Sequence, residues 1–154
     1  MNRLARICLI LLTVSSLGVW NVTGQDAVVD KPLVEDADAK LRLAGSQYEI
    51  IIVLLDQGLF ETVPAEFEKI LALKLSGPDE PLVADAAFKV ADRLREARHY
   101  ASAHEVVDHT LELVEHPESQ FKLLMMRAKI YKDQRLFKQA IETYREAQNL
   151  ENPE

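Results

Sequence analysis

All four histidines of the chain, His99, His104, His109 and His116, fall within residues 99 to 116. Imidazole is the commonest protein ligand for transition metals, so this stretch is the first place to look for chemistry. Two ligands that share a helical face stand at i,i+4, as in the His-Glu-x-x-His zinc motif. Here His104-Glu105 is followed by His109, an i,i+5 spacing that turns the two rings about 140° apart on a helix. Glu105 with His109, and Glu112 with His116, do stand at i,i+4. That spacing also describes an ordinary ion pair on a solvated helix, which is the simpler reading. A metal-dependent hydrolase built on residues 99 to 116 is an alternative, and no residue is assigned as a metal ligand.

The other residue types form no catalytic pattern. The five glycines are scattered, so there is no phosphate-cradling loop, and no serine lies in a nucleophile motif. Asp79 with Glu80, or Asp85 with Asp92, could in principle exchange protons. In a chain with 25 acidic residues such proximity carries little information. The sequence therefore predicts no enzyme, no catalytic residues and no cofactor.

Helices must position whatever function remains. A length of 154 residues with 48% hydrophobic and 28% charged side chains suits one domain with a real core. Six prolines and five glycines are few, while Leu, Ala, Glu, Lys and Arg abound, which favours an all-α fold. Breakers fall at Gly58, Ser76-Gly77-Pro78, His116-Pro117 and Asn152-Pro153.

Residues 1–24 read as a secretory signal peptide. Arg3 and Arg6 precede an apolar run from Ile7 to Trp20, and Val22-Thr23-Gly24 offers a small-residue cleavage site. The run is short for a membrane span, which takes about 20 apolar residues. A tether that keeps Ile7 to Trp20 uncleaved, giving a membrane-anchored assembly factor facing the exterior, is the alternative. Cleavage removes the only cysteine, Cys8, so no intramolecular disulfide can form in the mature chain. It also leaves 16 basic residues against 25 acids, a net charge of −9. Such a balance argues against nucleic acid and against an anionic membrane surface. Residues 25–36, with Pro32 and several acids, read as a flexible leader. The folded domain is expected over 37–154.

The clearest pattern lies at residues 121 to 154. Leu124, Ala128 and Tyr131 mark one helix, a turn falls near Asp133 to Arg135, and Phe137, Ala140, Tyr144 and Ala147 mark the next, with Pro153 after it. This resembles the tetratricopeptide repeat (TPR), a helix hairpin of about 34 residues. An offset of 37 residues brings Ala91, Leu94, Tyr100, Ala103, Val107 and Pro117 into equivalent places. A further offset of 40 brings Ile51, Leu54, Phe60, Val63, Phe67 and Ile70, with large aliphatics where the template has small residues. The resemblance implies three stacked antiparallel helix hairpins, a TPR-like α-solenoid. A plain helical bundle is the competing architecture.

In such stacks the first helix of each hairpin lines a groove that holds a protein or peptide. The matched positions are Tyr48, Ile52 and Leu55, then Phe88, Asp92 and Arg95, then Lys122, Met125, Lys129 and Lys132. An apolar end is thus expected to grade into a basic one able to seat an acidic partner. Asparagines that clamp a terminal carboxylate in some family members are replaced here by Ile52, Asp92 and Lys129, so that activity does not carry over. The resemblance therefore implies an exported, secreted or periplasmic, protein-binding adaptor or scaffold. No polar helix follows the last hairpin, so Leu136 and Ile141 are expected to remain exposed, and homodimerisation through that end is a further expectation.

Overall fold

The structure, a computed structural model, describes residues 31–151, with side chains from Asp36 to Leu150. The signal segment 1–24, residues 25–30 of the leader, and Pro153 lie outside the described residues. Among the described residues there is no strand. The helices are α1 (Lys31–Asp56), α2 (Val63–Leu71), α3 (Glu80–Glu96), α4 (Tyr100–Leu111), α5 (Pro117–Asp133) and α6 (Phe137–Glu151). Short 3-10 turns at Phe60–Thr62 and Gly77–Asp79 lead into α2 and α3. The chain is all-α, as its composition predicts.

One boundary differs from the sequence reading. Residues 31–36, assigned to a flexible leader, form the first turns of α1 instead. Pro32 is no obstacle there, because the first turn of a helix leaves its N–H groups unpaired in any case. The same device recurs at α2, α3 and α5, each of which carries a proline at its first or second position. Pro117, expected to close the second hairpin, is the first residue of α5.

The turn inside each hairpin has one geometry used three times. Gly58, Arg98 and Arg135 all take positive φ, of 75°, 64° and 62°. They stand at the offsets of 40 and 37 residues found in the apolar pattern. After each comes the same backward bond: the N–H groups of Leu59, His99 and Leu136 donate to the carbonyls of Leu54, Leu94 and Tyr131, each at 2.9 Å. This is the Schellman ending, which satisfies helix carbonyls through a left-handed residue. Only Gly58 meets the conformation without a Cβ penalty, which for other residues is roughly 1–2 kcal/mol. Arg135→Gly is therefore expected to stabilise the domain by about 0.5–1 kcal/mol after the looser unfolded chain is counted. A thermal melt that is unchanged or lower would contradict this.

The hairpins pack in order. α1 lies on α2, α3 on α4 and α5 on α6, while α3 also touches α1 and α5, and α4 touches α2 and α5. Short connections make the two helices of each pair antiparallel. Several polar ties between hairpins join like ends of like helices. Arg93 near the end of α3 reaches Asp56 at the end of α1, at 2.7 Å, and Arg95 reaches Asp133 at the end of α5. Lys122 and Asp85 pair near the starts of α5 and α3, and His109 of α4 pairs with Glu68 of α2. The Glu80 carboxylate accepts the His116 backbone N–H at 2.7 Å, binding the start of α3 to that of α5. Hence α1, α3 and α5 run parallel to one another, and so do α2 and α4.

One apolar core runs from α1 through α5, with Ile51, Val63, Phe67, Val90, Leu94, Val107, Leu123 and Ile130 all fully or almost fully buried. In the third hairpin the small side chains of Ala128, Ala140 and Ala147 are buried. The equivalent places in the first hairpin hold the buried side chains of Ile51, Val63 and Ile70.

Candidate peptide-binding face

Parallel alignment of α1, α3 and α5 puts equivalent residues side by side along one surface. Tyr48, Phe88 and Met125 form one such ladder, each partly exposed. The next ladder is Ile52, Asp92 and Lys129, also partly exposed. The third fails at its first member: Leu55 is only 4% exposed and belongs to the core, whereas Arg95 and Lys132 reach the surface. Leu55 is thus corrected from groove residue to core residue. An aliphatic side chain at that position gains more by turning into the hairpin than a charged one could.

The charge pattern also differs from the expected grade. Lys122 is paired with Asp85, and Arg95 is held by both Asp92, at 2.8 Å, and Asp133. Those cations are largely spent on neighbouring hairpins. Lys129 and Lys132 pair with no carboxylate among the described residues. The Lys129 ammonium sits 5.2 Å from the centre of the Phe88 ring, and that of Lys122 sits 5.4 Å from it. Both distances fall within the range of cation–π attraction. The ring therefore holds the Lys129 charge over the middle of the face, beside the Lys122–Asp85 pair. At the opposite end burial, with a smaller contribution from Glu49, raises the Tyr48 phenol above its ordinary pKa. Its hydroxyl stays protonated and able to donate a hydrogen bond.

Beside Tyr48 the face opens into a cleft of about 400 Å³ between α1 and α3. α1 contributes Leu41, Ala44 and Gly45 to its lining and α3 contributes Leu82, Val83 and Ala86, joined by Ile70 and Leu75 and by the charged Asp85 and Lys89. Gly45 contributes by being small: a methyl group added there would meet no atom within 4 Å. The lining is overwhelmingly apolar, which suits a hydrophobic side chain offered by a partner. The sequence reading missed every one of these residues except Tyr48. One signal was present, since Leu41, Gly45 and Tyr48 recur at i, i+4 and i+7 on the face of α1 that looks toward α3.

The histidines disperse. His104 lies against the Tyr131 ring and its Nε2 is 3.0 Å from the Gln134 amide oxygen. His109 turns to Glu68, whose hydrogen bond raises the imidazole pKa. His99 stacks on Phe60, with ring centres 4.3 Å apart. Among the described residues no three His, Cys, Asp or Glu side chains converge as a metal site would require, and no helix is long and apolar enough to cross a membrane. No protein-family model, curated protein or solved structure matches the chain.

Proposed function

We propose that this chain is an exported protein-binding adaptor, a TPR-like α-solenoid of three hairpins whose α1–α3–α5 face holds a segment of another protein. The cleft between α1 and α3 carries this reading, because about 400 Å³ of apolar space opens beside the Tyr48, Phe88 and Met125 ladder. The preferred segment presents a bulky apolar side chain to the cleft and an acidic group to Lys129 and Lys132. Burying one such side chain contributes roughly 1.5–3 kcal/mol, whereas an exposed ion pair adds up to about 1 kcal/mol. The apolar anchor therefore dominates affinity, and the lysines select among anchors. Residues 1–24 act as the export signal in this reading, and mass spectrometry of the mature protein is expected to find Gln25 at its start.

The test is selection of a random peptide library on the immobilised protein, followed by binding of the enriched peptides to two variants. Gly45→Trp fills the cleft from a site with open space around it and is expected to weaken binding at least tenfold. Lys129→Glu is expected to weaken acidic peptides selectively. Failure to enrich any peptide, or equal binding by wild type and Gly45→Trp, would remove the cleft as the anchor site.

A further inference from the structure

Exposed large apolar side chains occur on all three hairpins, Leu82 and Leu113 on the middle one, and six on the outer two stand at positions that the repeat register relates to the packing between hairpins. On α1 and the turn after it, Leu43, Ile50, Val53 and Leu59 are exposed, Ile50 at 47%. On α6, Phe137 and Ile141 are exposed, the latter at 52%. Several of their counterparts elsewhere in the chain are buried, although Arg93, the α3 counterpart of Val53, is exposed and reaches Asp56. Leu43 and Ile50 correspond, at the offset of 40, to Val83 and Val90 of α3, both buried. Val53 corresponds to Ile130 of α5, which is fully buried.

The α6 positions tell the same story from the other side. Ile141 corresponds to His104 of α4, which packs on the Tyr131 ring of α5 with ring centres 4.4 Å apart. Its counterpart in the first hairpin is Pro64, which is buried. Phe137 corresponds to Phe60, whose ring rests on His99 of the following hairpin. The face of α6 is thus shaped to receive the first helix of another hairpin, and the face of α1 is shaped to lie on the second helix of a preceding one. Both outer faces carry exposed apolar side chains.

We propose that copies of this chain associate head to tail, with α6 of one copy against α1 of the next, continuing the packing by which α4 meets α5. Phe137 then faces the next copy's Leu59, in the positions held within the chain by Phe60 and His99, and Ile141 meets Leu54, in the positions held by His104 and Tyr131. The relation is a screw and not a two-fold axis, so the contact leaves a free face at each end and permits growth beyond two copies. This surface lies apart from the peptide-binding face, so the proposal stands or falls independently of the cleft.

The experiment is light scattering on the purified full chain across a concentration series, with Ile141→Glu and Ile50→Glu. Both positions are exposed, so circular dichroism is expected to show unchanged helix content. Wild type is expected to form species larger than a dimer as concentration rises. Each variant alone is expected to be monomeric, with association weakened at least about tenfold, as for loss of a central apolar contact. A mixture of the two is expected to form a one-to-one complex that grows no further, because each variant retains one intact face and the head-to-tail contact joins those two faces. Three results would overturn the proposal. They are a wild-type chain that stays monomeric throughout, an Ile50→Glu variant that associates like wild type (pairing of α6 with α6), and a lower melting temperature for Ile50→Glu than for dilute wild type (coverage of α1 by the chain's own residues 1–30).

Discussion

Phe67→Ala is expected to lower the unfolding free energy by about 3–5 kcal/mol, the range for deleting a buried aromatic ring. Phe67 is 1% exposed and among the largest fully buried side chains. It lies in the middle of α2, a helix of nine residues. A helix so short has little stability of its own, because isolated helices below about 12–15 residues are marginal in water. Its formation depends on what its apolar side meets, and Phe67 is the largest of its buried side chains. The loss is comparable with the whole stability of a small domain, about 5–15 kcal/mol. The melting temperature is expected to fall by roughly 10–20 °C. Leu113→Ala is the control, since Leu113 is exposed and an exposed substitution changes stability by about 0.5 kcal/mol or less. Equal melts for the two variants would mean that α2 does not rest on Phe67.

Ala128→Leu is the second large effect, acting by excess volume instead of a void. Ala128 is fully buried where α5 meets α6, and Ala140 and Ala147 of α6 are buried too. Three added carbons must push the helices apart or force a strained rotamer, a cost of about 1–3 kcal/mol. Ala140→Leu is expected to act in the same direction. The double variant is expected to cost less than the two single effects together, since the first insertion opens space that the second can use. Denaturant unfolding of the three proteins gives the coupling directly. A stability unchanged by Ala128→Leu would show that α5 and α6 do not approach closely at this point.

The helices and their hairpin turns were legible because both depend on local signals. Apolar residues at helical spacing mark the buried faces, and the offsets of 37 and 40 residues that align those faces also align Gly58, Arg98 and Arg135, the left-handed turn residues. The start of α1 was not legible. Acids and Pro32 read as a leader, yet proline is at home in a helix's first turn. Leu55 shows the limit of register alone, since its equivalents Arg95 and Lys132 reach the surface while it does not. Position along a repeat says which way a side chain starts out, and chemistry decides where it ends. The pairing of Lys122 with Asp85 and of Arg95 with Asp133 depends on how neighbouring hairpins align, which a linear pattern does not record. The cleft lay further out of reach, since it is a gap left by α1 and α3. The run from Ile50 to Leu55 did carry a hint of the outer face. Six consecutive apolar residues surround a helix on all sides, and one neighbour cannot cover them.

The ties between hairpins link each one to the next along the chain, as do the main helix contacts. Pulled by its two ends, such an assembly shares the load in series, and an outer pair of helices can detach while the others keep their partners. Resistance to stretching and to proteases is then governed by the weakest junction. The gap beside Gly45 marks the junction of α1 with α3 as that point, so a ligand wedged there would act as a rivet as well as a passenger.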